Sequence, residues 1–245
     1  MAKLTFKGGI HPFDGKDLSK NKPIVDADAT DIMIYPLSQH IGAPANPIVS
    51  VGDRVLGNQK IAEANGFVSA NIHSSVSGIV KAIEPRRVVG GQMAMSIVIE
   101  NDHLYEMAPQ YNVPHIAAHT KEDVIAIVKE AGIIGMGGAG FPTHVKLSPK
   151  NPNEIHYIIA NCAECEPYLT SDYRRMIENP EMLVAGLKIM LSLFPNARGI
   201  LAVEDNKPDA IKALREITID ETRIEVKALK TKYPQGSERQ LIYAT

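Results

Sequence analysis

The sequence has little of what marks several large protein classes. Aromatic residues make up only 5% of the 245 residues, and Trp is absent. The formal net charge is −2, and Lys and Arg form no stripe, so nucleic acid is not expected as a partner. No run of 18 apolar residues occurs, which excludes a membrane-spanning helix. The N-terminal residues lack an apolar signal core and predict a cytoplasmic location.

Cysteine is also scarce. The two cysteines, Cys162 and Cys165, stand in one C-x-x-C pair, and this number does not support a disulfide framework. A single pair cannot complete a four-ligand zinc or iron–sulfur site, and the chain contains no second pair. Two interpretations remain open: a redox dithiol, or two small buried apolar side chains.

What the sequence does contain is a dense glycine segment, GMGGAGFPTHVK, from Gly135 to Lys146. Glycine permits positive φ angles and lets a flat or anionic ligand press directly on the main chain. Exposed N–H groups in such a loop form an anion-binding concavity, and Lys146 can add a positive charge for a phosphate. The segment therefore predicts a nucleotide or flavin site. The alternative from spacing alone is a glycine-rich helix connector without a ligand.

The flanking residues exclude a standard dinucleotide loop, although Gly135-x-Gly137-x-x-Gly140 fits that pattern. The dinucleotide pattern requires a strand before it and a helix after it. Here the preceding residues 121–131 predict a helix, with Thr120 and Asp123 as a capping box. Pro142 interrupts the segment that follows.

The chain divides into four predicted parts and one linker. Residues 1–30 are polar and irregular and predict an extended N-terminal arm, whereas residues 31–104 carry short apolar runs between turn residues, as in an all-β domain. A Pro-containing linker at 104–120 leads to an α/β domain at 115–232 with a largely parallel sheet. Residues 233–245 resemble the start of a further segment, so the chain is expected to be truncated.

The apolar pattern also predicts individual elements of the α/β part. The expected strands cover 155–160, 199–203 and 222–228, and the expected helices cover 171–178, a segment starting at Pro180, and 208–217. Asn179 and Asn206 are the expected caps of the last two helices.

Within the β part, the run VGDRVLGNQKIAEANGFVSANIHSSVSGIVKAI resembles a biotinyl/lipoyl-type barrel-sandwich domain. Carrier members of that family present a modifiable Lys at a hairpin tip. In this chain the tip falls near residues 65–69 and contains no Lys, so a scaffold without covalent cargo is expected. The Phe67 side chain at this tip is expected to pack in a small apolar cluster apart from the main core. The alternative is that it contacts a docking partner.

A second motif, NCAECEPYLTSDYR, spans Asn161 to Arg174 and follows an apolar strand. Ligand loops occupy this position at the carboxyl end of the strands in open α/β sheets. Glu164 and Glu166 place two carboxylates close together beside Asn161. Such groups suit ribose hydroxyls or a ring N–H edge better than a phosphate.

Taken together, these segments resemble the C subunit of the Rnf complex, an ion-translocating ferredoxin:NAD oxidoreductase. The resemblance covers nearly the whole chain, including GGIHPFDGKDLSKNKPI (8–24), PLSQHIGAPANPIVSVGD (36–53) and YPQGSERQLIYA (233–244). The α/β half is also similar to the FMN-binding flavoprotein subunit of respiratory complex I. The fold implied is a barrel-sandwich-hybrid (lipoyl-like) β domain followed by a Rossmann-like α/β FMN-binding domain.

The resemblance implies a flavin-binding electron-transfer subunit that exchanges a hydride between NADH and FMN. It implies a cytoplasmic protein, peripheral on the inner face of the membrane, with the other subunits of the complex as partners. The implied cofactor-binding residues are Gly135, Gly137, Gly138, Gly140, Lys146, Asn161, Glu164, Glu166, Gly236 and Glu238.

The chain also departs from the resembled pattern. Met136 stands where the complex I loop usually has Arg, and Ser237 replaces one of two acidic residues near the nicotinamide. The [4Fe-4S] clusters of the family are expected only in a C-terminal part that this chain lacks. Two alternatives remain: a related flavin/iron–sulfur reductase in cobalamin or proline reduction, and a docking module without catalysis.

Overall fold

The computed structural model describes residues 4–109 and 119–245, which belong to two compact units. The barrel unit comprises Ala27–Lys150, and the α/β unit comprises Met1–Asp26 together with Asn151–Thr245. The glycine segment and the helix before it therefore belong to the barrel unit. The domain bounds at 30, 104, 115 and 232 remain a prediction, and most of the expected linker at 104–120 lies outside the described residues.

The barrel unit contains two antiparallel sheets. Strands β1, β7, β6 and β3 form a four-stranded sheet in this order, and β2, β4 and β5 form a three-stranded sheet. The strand bounds are β1 Ile32–Pro36, β2 Asn46–Pro47, β3 Arg54–Val55, β4 Lys60–Glu63, β5 Ile72–His73, β6 Gly78–Arg87 and β7 Met93–Asn101. β6 and β7 form the longest pairing, with a register shift between Val80 and Ala82.

Buried apolar side chains from both sheets of this unit pack together in a core cluster. Its fully buried members include Val55, Ile61, Val80, Ile97 and Ile99. On β7, Ile97 and Ile99 alternate with Ser96 and Val98 along the strand, and this two-residue period lets one face of the strand supply the core. Two antiparallel sheets around a shared apolar core agree with the barrel-sandwich expectation for this half.

Two helices complete the barrel unit, α1 Lys121–Glu130 and α2 Thr143–Lys146. The expected capping box is present at the start of α1. The Thr120 hydroxyl accepts from the Asp123 N–H at 3.2 Å, and the Asp123 carboxylate accepts from the Thr120 N–H at 2.9 Å. Two of the N–H groups that a helix start leaves unpaired are thereby satisfied.

The α/β unit has a three-stranded parallel sheet in the order β10, β9, β8. Its elements are β8 Tyr157–Cys162, α3 Ser171–Glu178, α4 Pro180–Ser192, β9 Arg198–Glu204, α5 Pro208–Ile217, β10 Ile224–Leu229 and α6 Glu238–Ala244. The middle strand, β9, is buried at every position after Arg198. A strand covered on both faces reads as a continuous apolar run, and this explains the sequence GILAV.

Residues 4–26 belong to the α/β unit, and the first of them pair with β10 and with the segment that follows it. Leu4 forms a parallel bridge with Leu229, and Ile10 forms an antiparallel bridge with Tyr233. The Lys232 ammonium donates to the carbonyl oxygens of Phe6 and Gly8, the latter at 2.8 Å. We call residues 4–26 the arm below.

The expected helices and strands of the α/β unit are confirmed to within about two residues, but one predicted cap is wrong. Helix α5 begins after Lys207, and the Asn206 side chain accepts from the Lys207 ammonium at 3.1 Å and does not cap the helix. Lys207 is 3% exposed and needs acceptors for its buried charge, and Asn206 is one of them.

Candidate functional site

The glycine segment forms a tight loop between α1 and α2. The N–H of Gly135 donates to the Phe141 carbonyl at 2.9 Å, and the N–H of Gly140 donates to the Gly135 carbonyl at 3.0 Å. Gly137, Gly138 and Gly140 have φ angles of 66°, 82° and 57°. Residues other than glycine rarely adopt these backbone angles. The shape of the loop therefore explains why glycine occupies these three positions.

One face of this loop is bare main chain. A Cβ placed on Gly137 or Gly138 would have no atom within 4 Å. Within the part of the chain that the structure describes, the N–H groups of these two glycines donate to no protein acceptor. Adjacent N–H groups in this state form a site for an anion or for the polar edge of a flat ring.

The glycine loop and the helix after it are held by two connections between barrel strands, the one between β1 and β2 and the one between β4 and β5. The Ile41 N–H donates to the Gly140 carbonyl at 2.7 Å, and the buried His144 ring lies 3.2 Å from the Phe67 carbonyl. Burial lowers the pKa of His144, so the ring is neutral near pH 7 and can donate through Nε2. Lys146, the last residue of α2, is exposed.

Phe67 does not occupy the core position that the sequence suggests. Its ring is 66% exposed and packs edge-on against the imidazole of His144, with 6.4 Å between the ring centroids. The hairpin tip that bears a modifiable Lys in carrier domains here contacts the helix after the glycine loop.

The second group of predicted site residues lies in the α/β unit at the carboxyl end of β8. The Asn161 side-chain amide donates to the Gly236 carbonyl at 2.8 Å, and the Gly236 N–H donates to the Cys165 sulfur at 3.1 Å. These bonds join the loop after β8 to the turn before α6. Asn161, Glu166 and Glu238 are exposed along this edge.

Glu164 points inward instead. Its Oε1 accepts from the N–H groups of Asp172 at 2.7 Å and Tyr173 at 3.2 Å, in the first turn of α3. The side chain is 2% exposed, and burial raises the pKa of this carboxyl group. The Lys16 ammonium lies 3.7 Å from its Oε2. Glu164 thus holds the helix start that follows the loop.

A buried ion pair, Lys207 with Glu204, also supports the loop after β8. The Lys207 ammonium donates to the Ala163 carbonyl at 2.9 Å and lies 3.3 Å from the Glu204 carboxylate. Glu204 is fully buried, and burial raises the pKa of its carboxyl group. Such a pair rigidifies its surroundings, because its geometry is fixed by the need to satisfy every buried donor and acceptor.

Both cysteines are free and buried, in agreement with the apolar interpretation. Burial raises the pKa of Cys162 to about 12 and also raises the pKa of Cys165. The thiolate, which is the reactive form, is therefore disfavoured at both positions. No group of three or more His, Cys, Asp or Glu residues that could hold a metal occurs among residues 4–109 and 119–245.

The predicted site residues thus fall into two groups, each described within its own unit. The glycine loop and Lys146 lie in the barrel unit, and the others lie at one edge of the α/β sheet, with Glu164 turned inward. Lys16, Lys207 and His144 support these loops but were not predicted as site residues. Lys16 and Lys207 stand outside the α-helices and strands, so no periodic pattern marks either position as buried.

Two protein-family models match the chain. The model of the RnfC barrel sandwich hybrid domain matches residues 4–104, and that of the Nuo51 FMN-binding domain matches residues 128–245. These matches bear out the fold inferred from the sequence for both halves.

Curated relatives match nearly the whole chain. The C subunit of the Na⁺-translocating ferredoxin:NAD⁺ oxidoreductase complex of Acetobacterium woodii is 45% identical over 241 residues, which is 98% of this chain and 54% of that protein. The C subunit of the proton-translocating ferredoxin:NAD⁺ oxidoreductase complex of Clostridium ljungdahlii is 44% identical over 97% of this chain and 52% of that protein. The C subunit of the ion-translocating oxidoreductase complex of Vibrio cholerae is 38% identical over 97% and 31%, respectively.

The chain therefore spans about half the length of the first two relatives, or less for the third. The two family models match residues 4–104 and 128–245, and the relatives match the chain over both of these ranges. On this basis the chain belongs to the family of Rnf complex C subunits, with a match to the RnfC barrel sandwich hybrid domain and a match to the Nuo51 FMN-binding domain.

Proposed function

We propose that this chain is the flavin-binding electron-transfer part of an ion-translocating ferredoxin:NAD oxidoreductase. In this function it exchanges a hydride between NADH and FMN and passes electrons to iron–sulfur clusters located outside the chain. The observation that carries the proposal is the bare glycine loop, whose face at Gly137 and Gly138 is open and whose two N–H groups donate to no described acceptor. The match of residues 128–245 to an FMN-binding domain supports it.

The glycine loop suits a flavin for two reasons. A flat ring needs close approach to the main chain, and any Cβ at Gly137 or Gly138 would stand in the open space. The N–H groups of Gly137 and Gly138, which donate to no acceptor among residues 4–109 and 119–245, offer hydrogen bonds to a phosphate or to the carbonyl edge of the ring. Burying about 200 Å² of ring surface at about 25 cal/mol/Å² contributes about 5 kcal/mol. When bound, FMN supplies two-electron exchange with a nicotinamide and one-electron exchange with clusters.

The remaining site residues have distinct proposed roles. Lys146 provides a positive charge near the loop for the phosphate or the reduced ring. Asn161 and Glu166 offer an amide and a carboxylate for ribose hydroxyls or for the ring N–H edge, and Gly236 and Glu238 serve the nicotinamide side. Glu164 does not contact the ligand in this proposal, because its carboxylate accepts hydrogen bonds from the N–H groups of the first turn of α3.

The partners follow from the relatives, which are named as subunits of ion-translocating complexes. None of the helices in the described residues is long and apolar enough to cross a bilayer. We place the chain at the inner face of the membrane, where it docks onto the other subunits of the complex.

Flavin fluorescence tests this proposal directly. Titration of FMN with the chain is expected to quench the flavin emission and to raise the melting temperature, because a ligand that binds only the folded state stabilises it. Lys146→Met is expected to weaken binding about tenfold, equivalent to about 1.4 kcal/mol. Lys212→Met on α5, whose side chain is 76% exposed, is the control and should bind like the unaltered chain.

Two results would count against the proposal. Unchanged fluorescence and melting temperature at micromolar FMN would remove the flavin assignment for this chain. If the chain also captured other subunits of the complex without binding FMN or NADH, it would be a docking module.

A further inference from the structure

The Lys16 side chain of the arm ends among the main-chain carbonyls of the loop after β8. Its ammonium donates to the carbonyls of Glu164 at 2.9 Å, Glu166 at 2.9 Å and Leu169 at 2.5 Å. Lys16 is 7% exposed although it carries a full charge. An ammonium has three N–H donors, and each of them is used by a different carbonyl of this loop.

The conformation of the loop depends on that cation. Three carbonyl dipoles point at one place, an arrangement that is repulsive without a positive charge at its centre. Two residues of the loop, Glu164 and Tyr168, have positive φ angles of 46° and 68°, so the backbone is held away from its preferred shape. The ammonium compensates for both costs by binding the carbonyls that this shape directs inward.

Neighbouring arm residues bind the same loop. The Tyr168 N–H donates to the Asp14 carbonyl at 2.6 Å, and the hydroxyls of Ser19 and Thr170 lie 2.8 Å apart. A Cβ on Gly15 would lie 2.3 Å from the Tyr168 ring, so only glycine allows this approach. The segment Asp14 to Ser19 is thus shaped to hold the loop.

We infer that Lys16 is a positioning residue for the loop that presents Glu166 and follows Asn161. Lys16 does not touch the ligand in this inference. It sets the backbone from Glu164 to Leu169 and, through it, the place from which the Glu166 carboxylate projects. The inference rests on the proposed function, because that function assigns Asn161 and Glu166 to the flavin and its redox partner.

A second buried lysine provides a matched control. Lys232 is also 7% exposed, and it binds the arm carbonyls of Phe6 and Gly8 and lies 3.8 Å from the centroid of the Phe6 ring. No hydrogen bond of its side chain reaches residues 164–169 among the described residues. Lys232→Met therefore removes an arm anchor of the same kind but leaves the carbonyl cluster of the loop intact.

The experiment compares Lys16→Met, Lys232→Met and the unaltered chain at a temperature at which circular dichroism shows all three to be folded. Amide hydrogen exchange of the peptide covering residues 161–170 reports on the loop, and quenching of FMN fluorescence reports on binding. Lys16→Met is expected to speed exchange of this peptide at least tenfold and to raise the FMN dissociation constant about tenfold. Lys232→Met is expected to leave both within about twofold, whatever its melting temperature.

The inference is overturned if Lys16→Met leaves loop exchange within twofold, or if both lysine variants change it equally. Should Lys16→Met fail to fold, Ser19→Ala decides, because loss of the hydroxyl pair with Thr170 should shift both readouts about threefold in the same direction. If the unaltered chain does not bind FMN, the proposed function fails, whereas loop exchange still decides whether Lys16 positions the loop.

Discussion

The imidazole Nε2 of His144 lies 3.2 Å from the carbonyl oxygen of Phe67. This contact joins the helix after the glycine loop to the hairpin tip at which related carrier domains bear their modifiable Lys. The tip contains no Lys in this chain, and its backbone instead accepts a hydrogen bond from α2. The barrel fold thus supports the glycine loop and the helix that follows it.

Removal of the imidazole should loosen the glycine loop. His144→Ala takes away a hydrogen bond and most of a buried ring, so the free energy of unfolding is expected to fall by about 1–3 kcal/mol. FMN binding, measured by fluorescence, should weaken as well. His156→Ala, at an exposed position before β8, is the control and should change stability by less than about 0.5 kcal/mol. Equal effects of the two variants would contradict the role given to His144.

A side chain on the bare face of the glycine loop should impair ligand binding more than folding. Gly137→Ala puts a methyl group at a φ of 66°, which costs about 1–2 kcal/mol, but the new Cβ meets no protein atom. We expect FMN affinity to drop at least tenfold beyond this loss of stability, because the methyl group occupies the face that the ring needs.

The matched control for that variant is Gly186→Ala in the middle of α4. Its Cβ would also meet nothing within 4 Å, and its backbone is helical. Ala is a better helix former than Gly, so this variant should gain about 0.5–1 kcal/mol and bind FMN normally. Normal FMN affinity in Gly137→Ala would show that the ring does not use this face.

The two cysteines should resist alkylation while the chain is folded. Burial holds the Cys162 pKa at about 12 and raises that of Cys165, so little thiolate exists at pH 8. Iodoacetamide followed by mass spectrometry should show almost no modification in buffer and two additions in 8 M urea. Ser192→Cys, at an exposed helix position, is expected to gain one rapid addition. Rapid modification of the unaltered folded chain would instead favour a redox dithiol.

Stability should depend on pH through Glu204. Burial raises the pKa of this carboxyl group above its usual 4.5, so the folded chain keeps a proton that the unfolded chain releases. Its contribution to the free energy of unfolding is therefore largest at low pH and declines as the pH rises through the interval above 4.5, by about 1.4 kcal/mol for each unit of pKa shift.

Urea unfolding of the unaltered chain and of Glu204→Gln between pH 5 and pH 8 measures this dependence. The glutamine cannot titrate, so the stability advantage of the unaltered chain over Glu204→Gln should increase as the pH falls. A constant difference across this range would show that Glu204 has the same pKa in both states.

The sequence was most informative where a local rule applies. The spacing of Thr120 and Asp123 predicts the start of α1, and both hydrogen bonds of the box are present. Alternating helical and apolar strand segments predict the parallel sheet, because a helical crossover between two strands lets them run in the same direction. Adjacent glycines predict a loop that needs positive φ angles, as found at Gly137 and Gly138.

The polar contacts of buried side chains could not be predicted in this way. Glu164 looks like a ligand carboxylate in sequence, yet it accepts hydrogen bonds from the first turn of α3. Asn206 looks like a helix cap, but the buried Lys207 ammonium uses its oxygen. Lys16 contacts a loop about 150 positions later in the chain. In each case the partner depends on which groups the fold buries together, and no local sequence rule gives that information.

The two parts of the α/β unit are separated by the whole of residues 27–150. During synthesis the barrel residues therefore emerge and can fold before the carbonyl partners of Lys16 have been made. At about 5–20 residues per second, this delay is on the order of ten seconds. Until then the arm has no folded partner and is open to proteases. In a nascent chain stalled before residue 169, proteases should therefore cleave the arm before they cleave the barrel. In the released chain the arm should be protected.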